Sequence, residues 1–371
     1  MRHFITRGSV IGFAFLVLAA CNTVPAPTVI ANIAATAAPA FTPTATLTSV
    51  PTATQTPTVA PTPTNTLTPT STPNPLNVEW MRQQSYPGSD IIIEQELPRG
   101  SNYRQYIASY LSDGLKIYGL LTIPEGEKPA TGWPAIIFNH GFIPPNTYRT
   151  TERYVAYVAA IARSGYVVFK PDYRGHGSSE GEATGGYASP AYTVDVLNAL
   201  ASVKKLPEVD PNRLGMWGHS MGGMVTLRSM VISKDIKAGV IWGGVVASYP
   251  DLLTKWPHPQ SEVIATPVAG RRWRTEFIET YGTPEENPDF WNSISPITYV
   301  SDISGPVQLD HSTTDEEVPI AFSESLDQAL IKTGKTVEFY QYPGDNHNIA
   351  NNFGLAMQRS IAFFDKYVKG E

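Results

Sequence analysis

Ser220 lies at the centre of Gly218-His-Ser-Met-Gly222, between the apolar run Arg213–Trp217 and the small-residue stretch Gly223–Arg228, which has helical character. A serine hydroxyl is a weak nucleophile. A sharp strand-to-helix turn can hold it between a base on one side and a helix N-terminus on the other. Glycines at 218 and 222 suit such an elbow, because the converging backbones leave no room for Cβ atoms. The pattern alone also occurs as an ordinary glycine-rich turn, so the rest of the chain has to supply the partners.

Those partners are a base, a carboxylate that orients it and oxyanion donors, in the chain order Ser, then Asp or Glu, then His. The chain has seven histidines. His3 falls in an N-terminal leader, and His140, His176 and His219 lie at or before the elbow. His258 sits between prolines in Trp256-Pro-His-Pro259, and His311 leaves too little chain before it for a carboxylate-bearing strand. His347 follows the alternating run Thr336–Tyr342 through the turn Pro343–Asn346, and is the expected base. The carboxylate is expected in Asp310-His-Ser-Thr-Thr-Asp-Glu-Glu-Val-Pro319, where Asp315 occupies the loop crest and Glu316 is second choice. Asp345 is too near His347 in sequence to reach its Nδ1 side. The oxyanion hole is expected from the N–H of Met221 and that of Phe142, the latter following the apolar run Trp133–Asn139 and His140-Gly141. His140 is read as a prop for that loop.

The elements that must position these groups are legible as periodicity. Antiparallel-like strands are expected over 91–97, 103–111 and 116–123. Strands then alternate with helices: strand 135–138, helix 153–163, strand 166–170, helix 193–205, strand 213–217, a helix from Ser220 and strand 237–242. Alternation of this kind predicts an α/β fold with a mostly parallel sheet and helices on both faces.

With these motifs in place, the chain resembles the catalytic domain of the prolyl oligopeptidase family of α/β-hydrolases over about residues 100–370. The resemblance rests on Asn139–Phe142, Pro171–Ser178, Gly218–Gly223, His311–Pro319 and Asp345–His347. It implies Ser220 as nucleophile, Asp315 as acid and His347 as base, in agreement with the reading of the residues. Two positions depart from the family pattern. Ser312 stands where glycine is usual, which is expected to alter only a turn. Phe142 stands where many members have a second glycine, which is expected to narrow the acyl site.

The N-terminus carries Arg2 and Arg7, then an apolar run from Val10 to Ala20. About eleven apolar residues are too few to span a bilayer, which needs roughly 20, so residues 1–20 read as a signal peptide. Cys21, the single cysteine of the chain, follows Leu18-Ala-Ala20 and looks like the modified residue of a bacterial lipobox. Several acyl chains there would give a stable membrane anchor and place the protein outside the cytoplasm. Residues 21–75 carry no charge and are dominated by Thr, Pro and Ala. Such a composition cannot offset its ordering entropy and reads as a tether of about 40 Å or more. Residues 76–371 are expected to form the catalytic domain.

The formal charge of the chain is -6, and the first 75 residues contribute only two arginines. A basic nucleic-acid footprint is thereby excluded. The glycines of Pro171–Gly177 lack the Gly-Lys-Ser/Thr of a phosphate loop, and Asp172 and Arg174 are read as pinning that loop. No histidine or cysteine spacing suits a metal, and no cofactor is expected. Between 247 and 300 the alternation breaks in an aromatic-rich insertion with arginines at 271, 272 and 274, expected as a cap whose rings mainly pack it onto the sheet. The expected activity is hydrolysis of a small ester or short peptide through an acyl-enzyme. The propeller that filters peptides in many family members has no counterpart here, which favours esters over peptides. A catalytically silent binding module is the remote alternative, since such a module need not keep a complete triad.

Overall fold

Nine strands form one sheet in a computed structural model that describes residues 73–256 and 269–371. The expected signal segment, Cys21 and nearly all of the expected tether lie outside the described residues, as do positions 257–268 of the expected cap. The strands are β1 Ile92–Leu97, β2 Tyr103–Ser112, β3 Leu115–Pro124, β4 Trp133–Asn139, β5 Val167–Pro171, β6 Val209–His219, β7 Ile236–Trp242, β8 Val307–Ser312 and β9 Val337–Tyr342. Their spatial order is β1-β2-β3-β5-β4-β6-β7-β8-β9. The first three strands and the β3–β5 pair are antiparallel, and every pair from β5 to β9 is parallel. The helices are α1 Val78–Arg82, α2 Val155–Arg163, α3 Ala191–Val203, α4 Met221–Ile232, α5 Tyr249–Thr254, α6 Ala269–Tyr281, α7 Pro288–Ile294, α8 Ala321–Lys332 and α9 Phe353–Phe364.

The central strands are apolar almost throughout because both faces are covered. In β4, Ile136 and Phe138 point into one core with Val158 and Ile161 of α2 and Met357 and Phe363 of α9. Ala135 and Ile137 point into the other, with Val196 of α3, Met224 of α4 and Leu326 of α8. That two-residue alternation puts helices on both faces of the sheet. Across the parallel strands the register aligns Asn139 with Gly218, His219 with Trp242, Trp242 with Asp310, and Ser312 with Tyr342. The loops leaving β4, β6, β8 and β9 therefore emerge along one edge, the carboxyl end where open α/β sheets place their sites.

The expected cap between β7 and β8 is helical. It contains α5, α6, α7 and a 3₁₀ turn over Pro296–Asp302. Ser248 caps α5 by accepting the N–H of Asp251, and Asn287 caps α7 by accepting that of Phe290, with proline in the first turn of each helix. Its aromatics join the core on one face of the sheet and pack on one another there. Tyr249, Trp273, Phe277 and Trp291 are buried, and Tyr281 stacks on Phe290 at 3.9 Å. Arg274 lies over Trp256 and Trp273 and donates to the carbonyl of Leu252.

Candidate active site

β6 runs into α4 through Ser220, whose φ of 55° and ψ of −122° are costly for any residue with a Cβ. The turn is held from both sides. The Ser220 N–H donates to Trp242 O at 3.0 Å, and its carbonyl accepts from Gly223 N and Val245 N. A Cβ at Gly222 would lie 2.0 Å from Asn139 O, so strand β4 and the first turn of α4 touch only because glycine is there. The loop after β4 reaches the same point: a Cβ at Gly141 would lie 3.1 Å from Cβ of Ser220. The backbone of Met221 and Phe142, the two expected oxyanion donors, adjoins Ser220 from these two directions, with the Phe142 ring half exposed.

Asp315 and His347 meet at the ends of β8 and β9. Asp315 Oδ2 accepts from His347 Nδ1 at 2.7 Å and lies 3.1 Å from His311 Nε2, while Oδ1 accepts the N–H groups of Glu317 and Val318 at 2.9 Å. Burial alone would raise this carboxyl, but the hydrogen bonds from His311 and His347 outweigh it and hold the group well below the usual carboxylate range. It is a permanent anion at neutral pH, aimed at the imidazole. Glu316 plays a different part from the one weighed for it: its carboxylate accepts the backbone N–H of His347 at 3.1 Å and so fixes the base loop. Asp345 caps the turn into α9 by accepting from Asn346, Asn351 and Asn352. Ser312 changes more than a turn, because its hydroxyl and that of Thr314 both donate to Asp345 O and tie the acid loop to the base loop.

His347 Nε2 is buried with no hydrogen-bond partner among the described residues, and Glu317 Oε2 stands 3.7 Å from it. The base and the elbow adjoin through His219, the residue before the nucleophile, whose ring lies 4.5 Å from that of His347. His219 Nε2 is 3.1 Å from His347 O, and its Nδ1 is 2.8 Å from the hydroxyl of Tyr154. That hydroxyl also accepts the N–H of Gly141 at 3.0 Å. The bonding fixes every proton: Nε2 must donate to a carbonyl, so Nδ1 accepts from Tyr154, which itself accepts from Gly141. Burial, followed by the neighbouring His347, pushes His219 down to about 3, which keeps it neutral as this tautomer requires. One chain of hydrogen bonds thus joins the loop after β4, the elbow and the loop after β9. Sequence reasoning missed Tyr154. Its left-handed backbone beside the equally left-handed Arg153 leaves no trace in residue type.

The loop after β4 is braced from below. His140 is buried, stacks on Tyr148 and Tyr173 at 4.8 and 4.2 Å, and lies far from charge exchange, lowered to about 3 by burial. Asp172 accepts from Tyr148 and Thr150, and Arg174 pairs with the buried Asp195, so the loop after β5 is pinned as the sequence suggested.

A sheet of this topology with a serine elbow, and with an acid and a histidine after its last two strands, defines an α/β-hydrolase. The chain belongs to the prolyl oligopeptidase family, whose sequence model matches residues 152–371, and it is a serine hydrolase. It is 28% identical over 262 residues to the uncharacterized peptidase YtmA of Bacillus subtilis, covering 69% of this chain and 91% of that protein. It is 27% identical over 245 residues to the uncharacterized peptidase YuxL of the same organism, covering 64% of this chain but only 34% of that one. Among solved structures, the acetyl xylan esterase from Paenibacillus sp. R4 superposes with a TM-score of 0.57 at 19% identity, over 77% of this chain and 92% of the esterase, a likeness of fold.

Proposed function

We propose that this chain hydrolyses short acyl esters and, more slowly, short peptides through an acyl-enzyme on Ser220, as a lipid-anchored extracytoplasmic protein. The observation that carries the reading is the buried Asp315–His347 hydrogen bond beside a strained serine elbow. His347 Nε2 takes the Ser220 hydroxyl proton as Oγ bonds to the substrate carbonyl carbon. The oxyanion formed is met by the N–H groups of Met221 and Phe142. Nε2 then returns the proton to the leaving oxygen or nitrogen, whose bond to the acyl carbon breaks. Water repeats the sequence with the same base and releases the acid. Asp315 keeps Nδ1 protonated and stabilises the imidazolium.

Esters are favoured because an alkoxide leaves more readily than an amine, which must be protonated as it departs. The relatives of matching length include both a protein named as a peptidase and one named as an esterase, so rate measurements decide. A fluorophosphonate probe should label Ser220. The kcat/KM for acetyl or butyryl p-nitrophenyl esters should exceed that for alanyl and prolyl anilides by at least about tenfold, roughly 1.4 kcal/mol in barrier. Anilide turnover matching ester turnover makes the protein a compact peptidase. The anchor is tested by Cys21→Ser, which should abolish palmitate labelling and release the protein from membranes.

A further inference from the structure

We propose that Glu317 makes the leaving-group side of the site selective for cationic leaving groups, such as a quaternary ammonium alcohol or a basic amine, over neutral ones of the same shape. This rests on the hydrolase reading above, with His347 as base. In acyl transfer Nε2 of the base hands its proton to the leaving atom, so a group beside Nε2 lies beside the departing fragment. Glu317 Oε2 is 3.7 Å from His347 Nε2, and its side chain is 61% exposed. Nε2 is itself buried and has no hydrogen-bond partner among the described residues, which leaves it open to a reacting group.

Of three consecutive acids, only the Glu317 carboxylate is left without a hydrogen bond among the described residues. Asp315 is consumed by two imidazoles and two amides, and Glu316 is turned back onto the His347 N–H. The Glu317 backbone is pinned at both ends, its N–H donating to Asp315 Oδ1 and its carbonyl accepting from Trp256 Nε1, each at 2.9 Å. The carboxylate therefore hangs from a fixed point beside His347 Nε2. Its ion-pair contact among the described residues is with His347. A negative charge is then left facing the departing group. An exposed carboxylate pairs weakly, and salt screens it, so the preference should be about fivefold.

Acetylcholine and 3,3-dimethylbutyl acetate have the same acyl group and leaving groups of the same shape, differing in charge. Their kcat/KM ratio is measured at low ionic strength for the wild type, Glu317→Gln and Glu317→Lys. The expected ratio is about five in the wild type, falling towards one with raised salt or with glutamine and below one with lysine. A wild-type ratio of one, or a ratio that neither substitution nor salt moves, overturns the inference and leaves the hydrolase intact. Absence of turnover of either ester together with absence of fluorophosphonate labelling overturns the hydrolase reading and the inference with it.

Discussion

The carboxylate that orients His347 has four hydrogen-bonding contacts, and its neighbour has one use of its own; this separates the effects of two adjacent acids. Asp315→Asn should lower kcat by roughly 10³–10⁴, since an amide can neither stabilise the imidazolium nor fix the tautomer. Glu316→Gln should stay within a few-fold of wild type, because an amide oxygen still accepts the His347 N–H. A reversal of the two results would move the acid by one residue. Tyr154→Phe tests the chain that joins the three loops. It removes one hydroxyl and leaves the Gly141 N–H and His219 Nδ1 unpaired at buried positions, at about 1–3 kcal/mol for each stranded group. The expected outcome is a kcat lower by one to two orders of magnitude at little changed KM, with affinity for a boronate transition-state analogue falling in parallel. A lower melting temperature with unchanged kcat and boronate affinity would reduce Tyr154 to a structural role. The meeting of Asp315 with His347 and the strained turn at Ser220 were legible because chain order and loop contexts are forced by the chemistry. The contacts of Tyr154 and Glu317 were not, because they are made across 13 and 30 or more residues of chain, and no local pattern records them.

The stretch expected to carry the acid in a loop begins as strand: β8 continues through Asp310, His311 and Ser312, which pair with Tyr340, Gln341 and Tyr342 of β9. Three polar residues in a row read as a loop. They form a strand because each side chain finds a buried partner: Asp310 accepts from Tyr342 and Gln308, His311 contacts Ser323 of α8, and Ser312 donates to Asp345 O in the loop after β9. β6 likewise starts at Val209, four residues before the expected Arg213, while the remaining strand and helix ends fall within a few residues of the periodicity. Burying Asp310 has a cost that shows in the pH dependence. Burial, opposed by the hydrogen bonds from Tyr342 and Gln308, raises its carboxyl to about 7, against about 4 in the unfolded chain. The folded state thus binds more protons between those values. The contribution of this group to stability is fully present below the unfolded value and is lost as pH rises through 7. Asp310→Asn removes that slope. Its new amide N–H can donate to Gln308 Oε1, which is buried without a partner among the described residues, once the glutamine amide turns over. The difference in unfolding free energy, mutant minus wild type, should therefore increase between pH 5 and pH 8 by on the order of 1–3 kcal/mol. A difference independent of pH in denaturant melts would remove the titration of Asp310 from the account.

At the scale of the molecule, alternating periodicity was enough to show a mostly parallel sheet with an antiparallel start, because crossover helices are what parallel strands require. It could not show α1, five residues long and entered directly from a Thr- and Pro-rich stretch, whose helicity depends on what it docks against. Asn77 caps it, and Leu76, Val78 and Met81 are buried. Arg82 donates to Val231 O, and the buried guanidinium of Arg228 donates to Leu76 O as well as to Tyr249 and Ile294 O. Both arginine contacts land on α4, the helix whose first turn follows the nucleophile. Just before α1, Asn74 donates to the hydroxyl of Tyr281 in the cap. A chain starting at residue 83 should thus differ sharply from one starting at 73. It loses three buried apolar side chains at about 1.5–3 kcal/mol each, and it leaves Arg228 short of one acceptor in the core. The expected result is a melting temperature lower by about 10 °C or more, at roughly 2–4 °C per kcal/mol for a domain of this size, with ester turnover at 25 °C falling as α4 loosens beneath Ser220. Equal melting temperatures for the two chains would show that α1 is an appendage and that the catalytic unit is complete from β1 onward.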